Sequence, residues 1–328
     1  TAEAADVVAR LLQRRTERHA IAEFLARQRA PLAVVCGRGS SGHVGVFLRY
    51  LVETRLGIPV SATAPSIVTS FGRNLAMNRA LFIVISQSGR SPDLVAATRA
   101  ARNSGALTLA VVNASGSPVE EAAEFTVHIE AGPERSVAAT KSVIASMAAL
   151  ADLIAQVTAD RGLTAALERL PDRLGRALGL DWNALATALP EARAVYVAAR
   201  GFGLAPTREI ALKMAETLRL PALAFSAAEL MHGPRAAIGA DTPVLTLRLA
   251  DETAGSVDSL VEALRHAGHM VFRCGGDVSE LPWIGDDHAV TDAIAMLVPA
   301  YRVIEATARR LGLDPDRPPN LSKVTETL

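Results

Sequence analysis

With two cysteines in 328 residues, the chain cannot be built on a disulfide scaffold, and Cys36 and Cys274 stand too far apart to form a metal-ligand pair by spacing. Both sit in apolar, strand-like runs, which fits a reducing compartment, and a cytoplasmic protein is expected. Aromatic residues are equally scarce, at 4% against 50% hydrophobic residues. The core must therefore come mainly from Ala, Val, Leu and Ile, which suits helices packed on a parallel sheet. An excess of one charge is missing too: 34 Lys plus Arg offset 34 Asp plus Glu. That balance leaves no global field for nucleic acid or an anionic membrane, so any anion must be held locally. Long apolar runs are absent as well. Residues 143–157 are the most apolar stretch, but Asp152 interrupts them and they fall short of the roughly 20 residues of a membrane span. They read as a buried helix. Residues 1–29 mix Arg and Glu with Val7, Leu11, Ala20, Ile21 and Phe24, an amphipathic helix rather than an export signal.

What is present is a repeat. Residues 32–36 run into Gly37-Arg38-Gly39, and residues 194–199 run into Arg200-Gly201-Phe202-Gly203. Gly39 and Gly201 stand 162 positions apart, as do Pro59 and Pro221. Residues 81–85 pair with 243–247 and residues 107–112 with 269–273 at the same offset, so the chain reads as a duplication. Each half alternates strand, glycine turn, helix and strand. This pattern predicts an α/β fold of two tandem domains, each a mostly parallel sheet flanked by helices in a flavodoxin-like or Rossmann-like three-layer sandwich. The expected division is a helical segment 1–29, a first domain 30–162, a helical linker 163–189 and a second domain 190–328 with a C-terminal tail. Pro171, Gly175, Gly179 and Asp181 break the helical pattern in the linker. Ligands in such folds bind beyond the C-terminal ends of the strands.

One such end is rich in hydroxyls. After residues 81–85 come Ser86-Gln87-Ser88-Gly89-Arg90-Ser91-Pro92-Asp93 and then a helical run. Ser91 can cap that helix with Pro92 as its first residue, so free N–H groups and the positive helix end face the loop. A Ser/Gly loop is common between strand and helix, but Ser86, Ser88 and Ser91, with the Gln87 amide, exceed what one cap requires. The loop reads as a cradle for a phosphate monoester. Gly37-Arg38-Gly39-Ser40-Ser41-Gly42 is a second lip for the same cleft. A dinucleotide is disfavoured, because Glu53 falls within a helical stretch and not at a strand end where a ribose-binding acid belongs. No metal and no cofactor is expected.

These motifs, with Gly132-Pro133-Glu134 and Val137-Ala138-Ala139-Thr140-Lys141, resemble the first sugar isomerase (SIS) domain of glucosamine-6-phosphate synthase. In the second half, Glu209-Ile210-Ala211-Leu212-Lys213-Met214-Ala215-Glu216, Ala228-Glu229-Leu230-Met231-His232-Gly233-Pro234 and Pro319-Asn320-Leu321-Ser322-Lys323 resemble the same module in order and spacing. The synthase also carries a glutamine-hydrolysing domain, and this chain begins with the isomerase part. The resemblance therefore points to stand-alone double-SIS proteins: glucosamine-6-phosphate deaminases, galactosamine-phosphate counterparts and fructosamine-phosphate deglycases. Activity without glutamine hydrolysis is the expectation.

The resemblance implies roles for particular residues. By spacing alone, Glu209, Lys213 and Glu216 share one helix face and read as a solvated ion-pair stripe. By resemblance, Glu216 shuttles a proton between C1 and C2 of the sugar while Lys213 and Glu209 line the sugar site. His232 assists ring opening and is donated across a homodimer interface. Lys323 supplies an amine that forms a Schiff base, assists ring opening or protonates the leaving amine. Ser86, Gln87, Ser88 and Ser91 hold the phosphate, and Gly39, Ser40, Ser41, Val137 and Ala138 contact the substrate. Arg38, Arg90 and Ala139 depart from the synthase pattern, which bears on the identity of the sugar. Arg38 touches the ligand or braces the turn. The expected substrate is an amino sugar phosphate, with glucosamine 6-phosphate first; neither nucleic acid nor membrane is expected as a partner. SIS domains also serve as sugar-phosphate sensors, but those need no catalytic set.

Overall fold

The computed structural model describes residues 1–28 and 30–323; Arg29 and residues 324–328, which end the expected segments 1–29 and 190–328, lie outside the described residues. The chain divides into two compact units. The N-terminal unit comprises Asp6–Glu134, Lys141–Glu168 and the tail from Ser322, and the C-terminal unit comprises Thr1–Ala5, Arg135–Thr140 and Arg169–Leu321.

The first part of the chain runs α1 (Ala4–Gln13), α2 (His19–Gln28), β1 (Ala33–Cys36), α3 (Ser40–Leu56), β2 (Val60–Ala62), α4 (Ser66–Thr69), β3 (Leu81–Ser86), α5 (Pro92–Asn103), β4 (Leu107–Val112), α6 (Pro118–Ala122), β5 (Phe125–His128) and α7 (Lys141–Thr158). The rest runs α8 (Arg161–Ala177), α9 (Asn183–Ala188), β6 (Val195–Ala199), α10 (Leu204–Lys213), β7 (Ala222–Ser226), α11 (Ala227–Met231), β8 (Val244–Leu247), α12 (Ala254–His266), β9 (Val271–Cys274), α13 (Ala289–Ala295) and α14 (Leu297–Arg310).

The strand order is β2-β1-β3-β4-β5 in the N-terminal unit and β7-β6-β8-β9 in the C-terminal unit. Every pairing between named strands is parallel. Burial on both faces explains why β1 and β3 read as unbroken apolar runs rather than alternating ones. Each chain segment leaves its first strand toward one side and returns on the other. The switch points therefore lie between β1 and β3 and between β6 and β8, where sheets of this order hold ligands.

Among the described residues, α7 is the one helix long and apolar enough to cross a membrane, and it is buried inside the protein. It carries Asp152, fully buried, which accepts hydrogen bonds from Arg15 Nε at 2.5 Å and Arg18 Nη2 at 2.7 Å. That pair anchors the turn between α1 and α2 to the core of the N-terminal unit. The C-terminal unit has an analogous pair, Arg173 Nη2 to Asp292 Oδ1 at 2.6 Å. Glu53 acts locally, accepting the Val60 N–H at 3.1 Å and so tying α3 to β2.

One expected break does not occur. Pro171 lies inside α8, and the helix continues through Gly175 to Ala177. Leu163, Ala166, Leu167, Leu170, Leu174 and Ala177 are all fully buried along one stripe. Their burial outweighs the one backbone hydrogen bond that proline removes.

Candidate functional site

In the N-terminal unit, β3 ends on Ser86, and the next five residues lead to α5. The loop is shaped by its own hydroxyls: Ser86 Oγ accepts the Gly89 N–H at 3.1 Å and Ser88 Oγ accepts the Arg90 N–H at 3.3 Å. Accepting with their lone pairs leaves both hydroxyl protons to be donated elsewhere. Gly89 has φ +63°, and a Cβ there would collide with the Ser117 side chain, so only glycine closes this turn. Pro92 occupies the first turn of α5 and Ser91 precedes it in extended conformation. The expected Ser91 side-chain cap is not made: the Leu94 N–H is taken by Asp93 Oδ1 at 2.8 Å and the Val95 N–H by the Ser91 carbonyl at 3.2 Å, so the loop's own hydroxyls and the Gln87 amide are its donors.

A cavity of about 330 Å³ lies at this switch point, and Gly39, Ser41, Ser86, Gln87, Ser88, Ser91 and Lys323 are among its walls. The structure thus brings the two loops and the tail lysine together within one unit. Ser40 opens α3 between Gly39 and Ser41 but does not line that cavity. Arg38 also lines it, with its guanidinium forked onto the buried Asp93: Nη1 to Oδ2 at 2.8 Å and Nη2 to Oδ1 at 3.1 Å. The fork braces the glycine turn against the first turn of α5. The equivalent Arg200 does the same in the C-terminal unit, donating to Ser256 Oγ at 3.2 Å.

In the C-terminal unit, Glu209 and Lys213 lie on α10 at 1% and 2% exposure, far from the solvated stripe that spacing alone suggests. Lys213 Nζ sits 2.5 Å from Glu216 Oε2 and 3.4 Å from Glu209 Oε1. Tyr301 on α14 donates its hydroxyl to Glu209 Oε1 at 3.3 Å. Glu216 lies beyond the end of α10, in a π-helical turn over Met214–Leu218 that ends at a left-handed Arg219. Such turns are frequent at functional sites, and this one sets Glu216 against the lysine. Burial alone would lower the Lys213 pKa, but the charges of Glu209 and then Glu216 outweigh it and raise the pKa above the ordinary lysine value. Lys213 is thus a fixed cation holding Glu216, whose side chain remains 23% exposed and reachable. A cleft of about 600 Å³ opens beside Lys213, Thr217 and Tyr301.

Ala138 lines that cleft, and the neighbouring Val137 donates its N–H to the Asp316 carbonyl at 3.0 Å. His232 lies elsewhere, just past the end of α11, exposed, and its ring has no hydrogen bond among the described residues. Among the described residues no group of three or more His, Cys, Asp or Glu is arranged to hold a metal ion. Burial pushes the Cys36 thiol up to about 12 and raises Cys274 as well, so neither is a ready nucleophile. Sequence reasoning missed Tyr301, Thr217 and the pairing of Lys323 with Glu134 at 3.8 Å. Lone residues in apolar or polar runs carry no local signal of their tertiary partners.

The family model described as SIS domain matches residues 28–155 and 188–282. A glutamine–fructose-6-phosphate aminotransferase (isomerizing) from Methanothermobacter thermautotrophicus is 34% identical over 301 residues, covering 88% of this chain and 50% of that protein. The chain spans about half the length of the curated relatives it matches. The crystal structure of a candidate phosphosugar isomerase from Silicibacter pomeroyi DSS-3 superposes with a TM-score of 0.92 at 36% identity, covering 96% of this chain and 98% of that one. A glucosamine-6-phosphate deaminase from Thermotoga maritima superposes with a TM-score of 0.77 at 18% identity, over 98% of this chain and 100% of its own, and shares the fold.

Proposed function

Because this chain belongs to the SIS domain family, we propose that it is a phosphosugar isomerase whose reaction converts glucosamine 6-phosphate and water into fructose 6-phosphate and ammonia. The observation that carries the reading is the reachable Glu216 carboxylate held 2.5 Å from the buried Lys213 amine. A stripe of solvated ion pairs would not need such burial. In this reading Ser86, Gln87, Ser88 and Ser91 take the phosphate with hydroxyl and amide donors, which suits a monoester dianion. Gly39 and Ser41, on the walls of the same cavity, contact the sugar.

The ring opens first. His232 and Lys323 are the groups assigned to that proton transfer. Glu216 then takes the proton from C2 and returns it to C1, while Lys213 and Glu209 keep the carboxylate in place. The C2 amine becomes an imine, water adds at C2 and ammonia leaves. In this reading the protein is a homodimer in which each His232 serves the other subunit.

The test is a panel of glucosamine 6-phosphate, galactosamine 6-phosphate and fructosamine phosphates, with ketose and ammonia measured for each. Turnover of glucosamine 6-phosphate above the others is expected. Preference for another member would reassign the sugar. Failure of the whole panel, with a raised melting temperature on phosphosugar binding, would make the protein a sensor.

A further inference from the structure

Lysine occurs at three positions in this chain, 141, 213 and 323, so among its 34 cationic residues arginine supplies 34 − 3 = 31. Arginine cannot give up its proton in a protein, whereas a lysine amine can. A lysine kept in so arginine-rich a chain, and placed at a cavity wall, invites the question of what holds it there. For Lys323 the holder is Glu134.

Glu134 closes the segment before α7, and its side chain is only 4% exposed. Oε1 accepts the Ser142 backbone N–H at 3.2 Å and Oε2 accepts the Ser142 hydroxyl. The acid thus caps the first turn of α7, whose positive end favours a carboxylate. Capping alone accounts for both serine contacts, but it does not account for Lys323 Nζ at 3.8 Å from Oε2. Burying a carboxylate is costly unless a cation joins the hydrogen bonds that replace water. The tail brings that cation when it is docked, and Lys323 then stands among the walls of the cavity formed by Ser86 and Ser88. The lysine side chain stays 27% exposed while the acid is buried.

We propose that Glu134 is a positioning residue that docks the chain at Lys323 and so delivers a lysine amine to the cavity lined by Ser86 and Ser88. The docking stands on its own geometry; its catalytic consequence rests on the proposed isomerase reading.

Reductive methylation of the full chain, with each lysine quantified by mass spectrometry, reads the access of Lys323 without any turnover. The buried Lys141 and Lys213 serve as internal references. Glu134→Gln keeps an oxygen for the Ser142 N–H and removes the charge; Lys323 labelling should rise about fivefold, the size of a partly exposed ion pair. Glu134→Asp, with the charge one methylene shorter, should fall between, and it carries the test if the Gln variant does not fold. Ser142→Ala weakens the cap and should leave Lys323 labelling unchanged. Equal labelling in the wild type and both Glu134 variants overturns the proposal, and so does an equal rise in Ser142→Ala. On a turned-over substrate, Glu134→Gln should lower kcat about tenfold with KM within about twofold, and Glu134→Asp should recover part of it. An unchanged kcat would contradict the catalytic consequence. Absence of turnover in the wild type would defeat the isomerase reading instead, and labelling would still decide the docking.

Discussion

At the switch point of the N-terminal unit the chain reads Ser86-Gln87-Ser88-Gly89-Arg90-Ser91, and at the equivalent point of the C-terminal unit it reads Arg248-Leu249-Ala250-Asp251-Glu252-Thr253. The scaffolds match, down to an arginine bracing each glycine turn. The loops do not. In the N-terminal unit hydroxyls and a glycine leave an open cavity at the start of α5. In the C-terminal unit Asp251 Oδ1 accepts the Thr253 N–H at 2.8 Å and its hydroxyl at 2.6 Å, so a carboxylate of the chain itself stands before α12. Arg248 is turned onto Asp258, with its Nε 3.3 Å from Oδ1. One switch point has a cavity lined by hydroxyls, and at the other a carboxylate of the chain itself stands before the helix. The second unit instead carries the Glu209–Lys213–Glu216 cluster on α10 and the π-helical turn that follows it.

The comparison can be broken at several points. The largest effect is expected at Glu216→Gln, which should cost about 10²–10⁴-fold in turnover, the range of a lost general base, while phosphosugar binding by calorimetry persists. Normal turnover would remove Glu216 from the chemistry. Each unit also has a buried Arg–Asp pair, and breaking the N-terminal one by Asp152→Ala should cost about 3–5 kcal/mol in urea unfolding, because Arg18 is left buried without its partner. A loss under about 1 kcal/mol, the scale of an exposed pair, would show the anchor to be peripheral.

Ser88→Asp gives the first cradle the character of the second. It should raise KM for the phosphosugar about tenfold or more, since an added carboxylate faces the phosphate at short range. An unchanged KM would move the phosphate away from this loop. Asp292, in the C-terminal pair, is raised to about 6, chiefly by burial and further by the neighbouring Asp286 and Asp287, against the lowering by Arg173 and the Asp287 N–H. Its folded-state affinity for a proton exceeds that of the unfolded chain, so this group's contribution to stability falls as pH rises from about 4 to 6 and is level above. Asp292→Asn should flatten that slope in melts across the same range; an unchanged slope would assign it to other groups. Asp251→Ala should cost only about 1 kcal/mol, as loss of a helix-end acceptor does, and leave KM for phosphosugar unchanged. A raised KM there would contradict the division of labour.

The repeated strands were legible because both halves kept strand spacing, so the 162-residue offset marks homologous strands even where the loops diverged. That Ser86, Gln87, Ser88 and Ser91 share one cavity was legible because they lie within six consecutive residues. The burial of Glu209 and Lys213 was not, since periodicity gives the face of a helix and not what covers it. Tyr301 reaches Glu209 across 92 positions, a contact that only tertiary packing creates. The π-helical turn at Met214–Leu218 likewise follows from packing, and α8 continues through Pro171 because its apolar stripe outweighs a local breaker.

The most direct test of the central claim is the ratio of ammonia to fructose 6-phosphate formed from glucosamine 6-phosphate by the purified chain in glutamine-free buffer. The account predicts one ammonia per ketose throughout the time course, abolished in Glu216→Gln. Ketose or aldose products without ammonia, or no product at all, would contradict it.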